Sequence, residues 1–165
     1  MQGSDGMQLG LPRPGKPVIG LMLALAAIWL MFAVGLNWGG ASSSVFLLLT
    51  GDTRAIIHGE VWRLFTAPLL HAPDSIGHLL TAIIGLYFLG TSLEEAWGGA
   101  RFLRGVALAS IGSYLLQMLA ELVLPGSVSA RLVGQYWFGL LPAMDAIAIA
   151  WALTFRKQVI RLFML

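Results

Sequence analysis

At 165 residues, with 11% charged and 58% hydrophobic side chains and a mean hydropathy of +0.81, the chain departs from soluble domains, which carry about 25% charged and roughly 45–50% apolar residues. Water is not its main solvent. A formal net charge of +2 is too small for a nucleic-acid surface, and the absence of cysteine excludes disulfides, a thiolate nucleophile and cysteine-ligated metal.

Residues 1–17 (MQGSDGMQLGLPRPGKP) are rich in Gly and Pro, carry Arg13 and Lys16, and lack a hydrophobic period, so they read as a mobile tail. Val18 to Leu36 follows as nineteen apolar residues without a charge, about the length needed to cross the hydrocarbon core of a bilayer. A basic flank before it and small residues after it are also features of a secretory signal, but the run exceeds the roughly 7–15 residues of a signal core. It is read as the first span.

Residues 37–74 mix apolar stretches with Asp52, Arg54, Glu60 and Arg63. They are too long for a tight turn and are expected to lie along the membrane interface. Three more apolar runs qualify as spans, over residues 75–93, 105–124 (with Glu121 near its end) and 132–155, the last interrupted only by Asp145. After Arg156 and Lys157 the chain turns apolar again and stops at Leu165, too soon for a fifth crossing. The expected fold is an all-α, polytopic membrane domain over 18–165, with four complete spans and the start of a possible fifth. Trp38, Trp97 and the Tyr136–Trp137 pair fall at span ends, where amphipathic rings favour the headgroup level.

Cation placement orients the bundle. Arg13, Lys16, Arg101, Arg104, Arg156, Lys157 and Arg161 share one side, against Arg54, Arg63 and Arg131 on the other. The excess puts the N-terminus in the cytoplasm and the 37–74 segment on the opposite face. The expected home is an integral position in a membrane, most simply the bacterial inner membrane.

The stretch from Gly59 to Leu103 holds Gly59-Glu60-x-Trp62-Arg63, then Phe65-Thr66, Leu70-His71 and His78-Leu79-Leu80. Tyr87-Phe88-Leu89-Gly90 follows, with Glu94 four residues after the glycine, and then Arg101-Phe102-Leu103. This pattern resembles the rhomboid family of intramembrane serine proteases and their inactive relatives, and a weaker resemblance runs on through Phe155. In that family a serine in a Gly-x-Ser-Gly motif on the fourth span attacks the substrate carbonyl, activated by a histidine on the sixth. A histidine and an asparagine on the second span help hold the oxyanion. The resemblance sets Gly139-Leu140-Leu141-Pro142 on the nucleophile motif, so Leu141 stands at the serine position. An alkyl side chain has no proton to remove and no lone pair to attack with. His78 matches the second-span histidine, but Ala82 stands at the asparagine position, with Thr81 as its polar neighbour. Sliding the motif to Gly134 does not help, because residues 132–155 contain no serine, and Ser127 and Ser129 lie in the preceding loop. Trp62, Arg63, His71, His78, Gly90, Glu94 and Gly139 retain the family's residues.

The resemblance therefore implies a rhomboid-like pseudoprotease that binds or handles transmembrane client segments without cleaving them, with no cofactor and no metal. His71 and His78 are seven apart and do not share a helix face as an i, i+4 pair would. They are expected to tie the interfacial loop to the top of the second span. Two other readings stay open: an intramembrane serine endopeptidase whose catalytic parts lie outside this chain, and a small transporter or proton relay using Asp145 and His78. Asp145 is expected to face the bundle interior or water, because a charge at the bilayer centre is costly, with His78, Thr81 and a carbonyl freed by Pro142 as partners. Pro142 is expected to kink the fourth span. Gly139, Ala143, Ala146 and Ala150 form a small-residue stripe for close helix packing. Arg63 is expected to hold loop carbonyls, and Glu94 the turn around residues 96–99.

Overall fold

The structure is a computed structural model in which residues 12–126, 128 and 136–156 are described. Residues 1–11 of the expected tail and the apolar stretch from Lys157, expected to begin a fifth span, lie outside the described residues.

Helix α1 spans Lys16–Asn37. Pro17 sits in its first turn, where a missing N–H costs nothing. Its 22 residues rise about 33 Å at 1.5 Å each, enough for a hydrocarbon core of about 30 Å. Three short helices follow: α2 at Ser44–Leu49, α3 at Thr53–Ile57 and α4 at Arg63–Thr66, the last running into a 3-10 turn at Ala67–Leu69. Asp52 starts α3 by accepting the Arg54 and Ala55 N–H groups at 2.8 and 3.1 Å. Val45, Leu48, Ile57, Val61 and Phe65 are exposed, an apolar surface suited to the headgroup level.

The loop is held by the capping of one short helix. The last carbonyls of α2 lack partners inside the helix, and the Trp62-Arg63-x-x-Thr66 sequence supplies donors for them. Arg63 donates to the Leu47 and Thr50 carbonyls at 2.6 and 2.7 Å. Trp62 donates its indole N–H to Leu48 at 3.2 Å, and the Thr66 hydroxyl donates to Leu49 at 2.7 Å. Glu60 pairs with the Arg63 guanidinium at 2.5 Å, and the buried cation lies at the negative end of the helix dipole.

Helix α5 runs over Ile76–Trp97 with a π turn at Leu86–Gly90, and α6 over Gly99–Val123. With α1 these are the described helices long and apolar enough to cross a membrane. Leu25, Ala82, Leu86, Leu93 and Phe102 meet in the apolar core between them.

The fourth apolar run departs from expectation. Helix α7 covers only Leu141–Thr154, and residues 136–140 are not helical. Their backbone donors are committed elsewhere. The Trp137 N–H donates to Gly51 at 3.0 Å and the Gly139 N–H to Ala67 at 2.9 Å, while the Gly51 N–H returns to Trp137 at 2.7 Å. A strap pinned to the interfacial loop at two points cannot also wind as helix. Pro142 therefore sits in the first turn of α7 and starts the helix instead of kinking it. Gly139 precedes α7 and leaves the expected small-residue stripe. Trp137 is not an interfacial ring either: it is buried and stacks on Tyr114 with centroids 4.3 Å apart.

Candidate functional site

The start of α7 lies between two openings. One is a cleft of about 370 Å³, lined by His78 and Ser75 of the α5 start, Tyr114 and Gln117 of α6, and residues 136–138 of the strap with Pro142. The other is a groove of about 520 Å³ between α5 and α7, lined by Thr81, Gly85 and Leu89 on one side and Leu141, Met144, Asp145 and Ala148 on the other. Pro142 borders both.

At the wall of the cleft His78 packs against His71 and Gly139, which lie behind it. The Ala72 N–H donates to His78 Nδ1 at 3.2 Å, so Nδ1 is the acceptor and Nε2 carries the proton. This bond ties the loop to the top of α5. Gly139 has φ +104°, and a Cβ there would lie 2.5 Å from His78 Cε1 and 2.9 Å from Nε2. Glycine is needed both for the positive φ and for the ring that lies against it. Tyr114 donates its hydroxyl to the Gly139 carbonyl, and Ser113 donates to the Pro142 carbonyl at 3.1 Å. Phe138 meets the His78 ring edge-on at 5.8 Å.

His71 is 1% exposed, its ring centroid 5.0 Å from that of His78, and neither of its nitrogens has a hydrogen-bond partner among the described residues. Burial, with the neighbouring His78 ring as the lesser cause, pushes its pKa down to about 4, the Leu69 backbone offsetting part of the effect. It stands in the site as a neutral ring. Among the described residues no group of three or more His, Asp or Glu side chains could hold a metal ion.

Leu141 is the first residue of α7 and lines the groove. Ala82 is fully buried in the apolar core and offers the cleft no donor. Asp145 is exposed on the groove side of α7, and the expected partners do not reach it: it has no hydrogen-bond or ion-pair partner among the described residues. His78 opens on the other cleft, and the Thr81 hydroxyl donates to the Gly77 carbonyl of its own helix at 3.0 Å. His78 and Asp145 thus line different openings, with Pro142 bordering both.

The remaining family positions are structural and lie away from the cleft. Trp62 and Arg63 cap α2. Gly90 lets Phe102 approach, a Cβ there falling 3.1 Å from the ring. Glu94 does not hold the turn after α5 with its side chain: its carboxylate accepts the Gly15 N–H at 3.0 Å. It caps the N-terminus of α1, where a negative charge opposes the helix dipole. Residues that sequence reasoning missed are Tyr114, Ser113 and Phe138. Tyr114 and Ser113 fall in an apolar run where nothing local marks them as partners of the strap carbonyl of Gly139 and the α7 carbonyl of Pro142, 25 and 29 residues further on.

A family model described as "Rhomboid domain" matches residues 58–164. Among curated proteins, "Putative rhomboid protease YdcA" of Bacillus subtilis (strain 168) is 35% identical over 76% of this chain and 63% of its own length. "Rhomboid protease GluP" of the same organism is 30% identical over 82% of this chain and 26% of its own length. "RHOMBOID-like protein 1" of Arabidopsis thaliana is 36% identical over 56% of this chain and 23% of its own length. The chain spans less than two thirds of the length of these relatives. The family match covers more than half of the chain and the entire strap, cleft and groove, and on that ground the chain belongs to the rhomboid family of membrane proteins.

Proposed function

We propose that this chain is a client-handling pseudoprotease of the rhomboid family, which holds transmembrane segments of other proteins at the start of α7 without cutting them. What carries this is Leu141, which the resemblance sets at the family's serine position and which has no group that a base could activate. An open cleft lined by His78, whose Nε2–H has no partner among the described residues, beside a groove along α5 and α7, supports binding. The test is a serine-directed fluorophosphonate on the purified protein, together with crosslinking of client helices in native membranes. Absence of probe labelling with client capture is the expected result, and stoichiometric labelling of any serine would refute the reading.

The comparisons give more support to a second reading. Both Bacillus subtilis relatives carry "rhomboid protease" in their names. Under it the chain is an intramembrane serine endopeptidase whose catalytic parts lie outside these 165 residues or in another subunit. Its expected result is cleavage of a single-span reporter protein in membranes, blocked by the same fluorophosphonate.

The cytoplasmic N-terminus is part of the proposal and rests on the seven-to-three division of cations. Single cysteines at positions 3 and 43 test it, Ser43 being exposed in the 37–74 segment. An impermeant thiol reagent outside intact cells labels position 43 and not position 3, and the reverse pattern inverts the topology.

A further inference from the structure

His78 holds one hydrogen bond that exists only while its ring is neutral. Its Nδ1 accepts the Ala72 N–H at 3.2 Å, and a protonated imidazole carries hydrogen on both nitrogens and accepts nothing. Proton uptake and this bond therefore exclude each other. The Ala72 peptide is fixed on its other side, its carbonyl accepting the Trp29 indole N–H of α1 at 2.8 Å, so the loop cannot follow the ring. The ring is not free to turn either. A Cβ on Gly139 would fall 2.5 Å from its Cε1, and Phe138 meets it edge-on at 5.8 Å. A ring that drops Ala72 and turns Nδ1 toward water must push the strap at Gly139. The Gly139 N–H bond to Ala67 at 2.9 Å is one of the two pins that hold the strap to the loop.

Among the described residues no carboxylate is placed to balance a charge on this ring. Toward the loop it faces His71, a second imidazole with its centroid 5.0 Å away. The cleft that it lines holds Ser75, Tyr114, Gln117 and Tyr136, and no Asp, Glu, Lys or Arg. Asp74 of the loop, Glu121 of α6 and Asp145 of α7 do not line it, and α1 carries no charge from Val18 to Leu36. His71 is 1% exposed whereas His78 borders the cleft, so of the two rings His78 is the one that water reaches.

We infer that His78 is an acid-sensitive latch, whose neutral ring keeps the strap docked on the interfacial loop and whose protonation frees residues 136–140 and widens the cleft at the start of α7. Docking is complete while the ring is neutral and is lost as pH falls, because only the released arrangement accommodates a proton on Nδ1. The latch operates under either reading of function, since it governs access to the cleft and not what occupies it.

The test is amide hydrogen exchange of the full chain in lipid nanodiscs at about pH 8 and about pH 5, either side of the ordinary histidine value, corrected for the intrinsic pH dependence of exchange. At the acid value the Trp137 and Gly139 amides are expected to exchange about tenfold faster, the factor that one lost hydrogen bond supplies, with α1 and α6 unchanged. His78→Gln should make strap exchange independent of pH. His71→Leu should leave the pH dependence in place, because His71 takes up its proton only at about pH 4. Side-chain nitrogen NMR of the wild-type histidines supplies a reading that does not depend on a variant folding: His78 Nδ1 should pass from acceptor to protonated over the pH range in which strap exchange rises. Strap exchange that ignores pH in the wild-type chain, or still follows it in His78→Gln, overturns the inference. So does a pH dependence that disappears in His71→Leu, or a His78 ring that takes up its proton with no change at Trp137 and Gly139.

Discussion

Replacing Arg63 with methionine isolates what the interfacial loop depends on. The substitution keeps the apolar stem in a site that is 7% exposed but removes the donors at 2.6 and 2.7 Å from the Leu47 and Thr50 carbonyls. Each buried acceptor left without a partner costs about 1–3 kcal/mol. Thr50 contributes a hydroxyl bond to the Leu47 carbonyl at 2.8 Å, which softens one of the two losses. Glu60 loses its cation as well, but its side chain is 34% exposed, and water takes over most of that interaction. The expected loss is therefore about 3 kcal/mol, within the range for breaking a buried charged network. It falls on local opening of the loop, because the spans are held by their own apolar core. Hydrogen exchange in a lipid nanodisc measures this directly. Amides of residues 44–69 should exchange about 100-fold faster, with little change in α1 or α6. Arg63→Lys should recover less than half of the protection, since an ammonium lacks the planar fork that reaches two carbonyls and a carboxylate at once. If Arg63→Met changes loop exchange by less than threefold, the capping account of the Trp-Arg motif is wrong.

Two further substitutions probe the cleft. Gly139→Ala should lower stability by at least about 2 kcal/mol through its positive φ and more through the His78 ring. Gly59→Ala is the control, having φ +107° with nothing within 4 Å of an added Cβ; equal thermal shifts for the two in detergent would show that His78 does not press on Gly139. The pKa of His71, lowered from 6.5 to about 4, makes folding pH-dependent, because the unfolded chain takes up its proton first. The stability from keeping this ring neutral is complete above pH 6.5, declines as pH falls, and is lost by pH 4, a change of up to about 3 kcal/mol. His71→Leu should flatten the melting-temperature profile between pH 6.5 and 4, and an unchanged slope would assign the pH dependence to other groups.

The spans α1, α5 and α6 were legible in the chain because transfer from water to lipid is a property of each residue, summed along a run. Local chemistry also marks where helices begin: Pro17 and Asp52 occupy the start positions that their φ restriction and side-chain oxygen favour. Gly139, His71 and His78 were recognisable through the family resemblance, and the fold does bring His71 and Gly139 against the His78 ring. The true start of α7 was not legible. Residues 136–140 are apolar enough for a helix, and only the Gly51 and Ala67 backbones, 86 and 72 positions earlier, decide that Trp137 and Gly139 donate elsewhere. The partner of Glu94 is likewise set at a distance, since the free N–H of Gly15 lies 79 residues away in sequence. Asp145 makes the same point for charge: its identity announces a cost in the membrane, but whether it points into the bundle or into a groove depends on where α7 begins its turn. Hydropathy fixes which segments leave water, whereas helix starts and polar partners depend on which distant backbone groups the packed spans bring within three ångströms or so of one another.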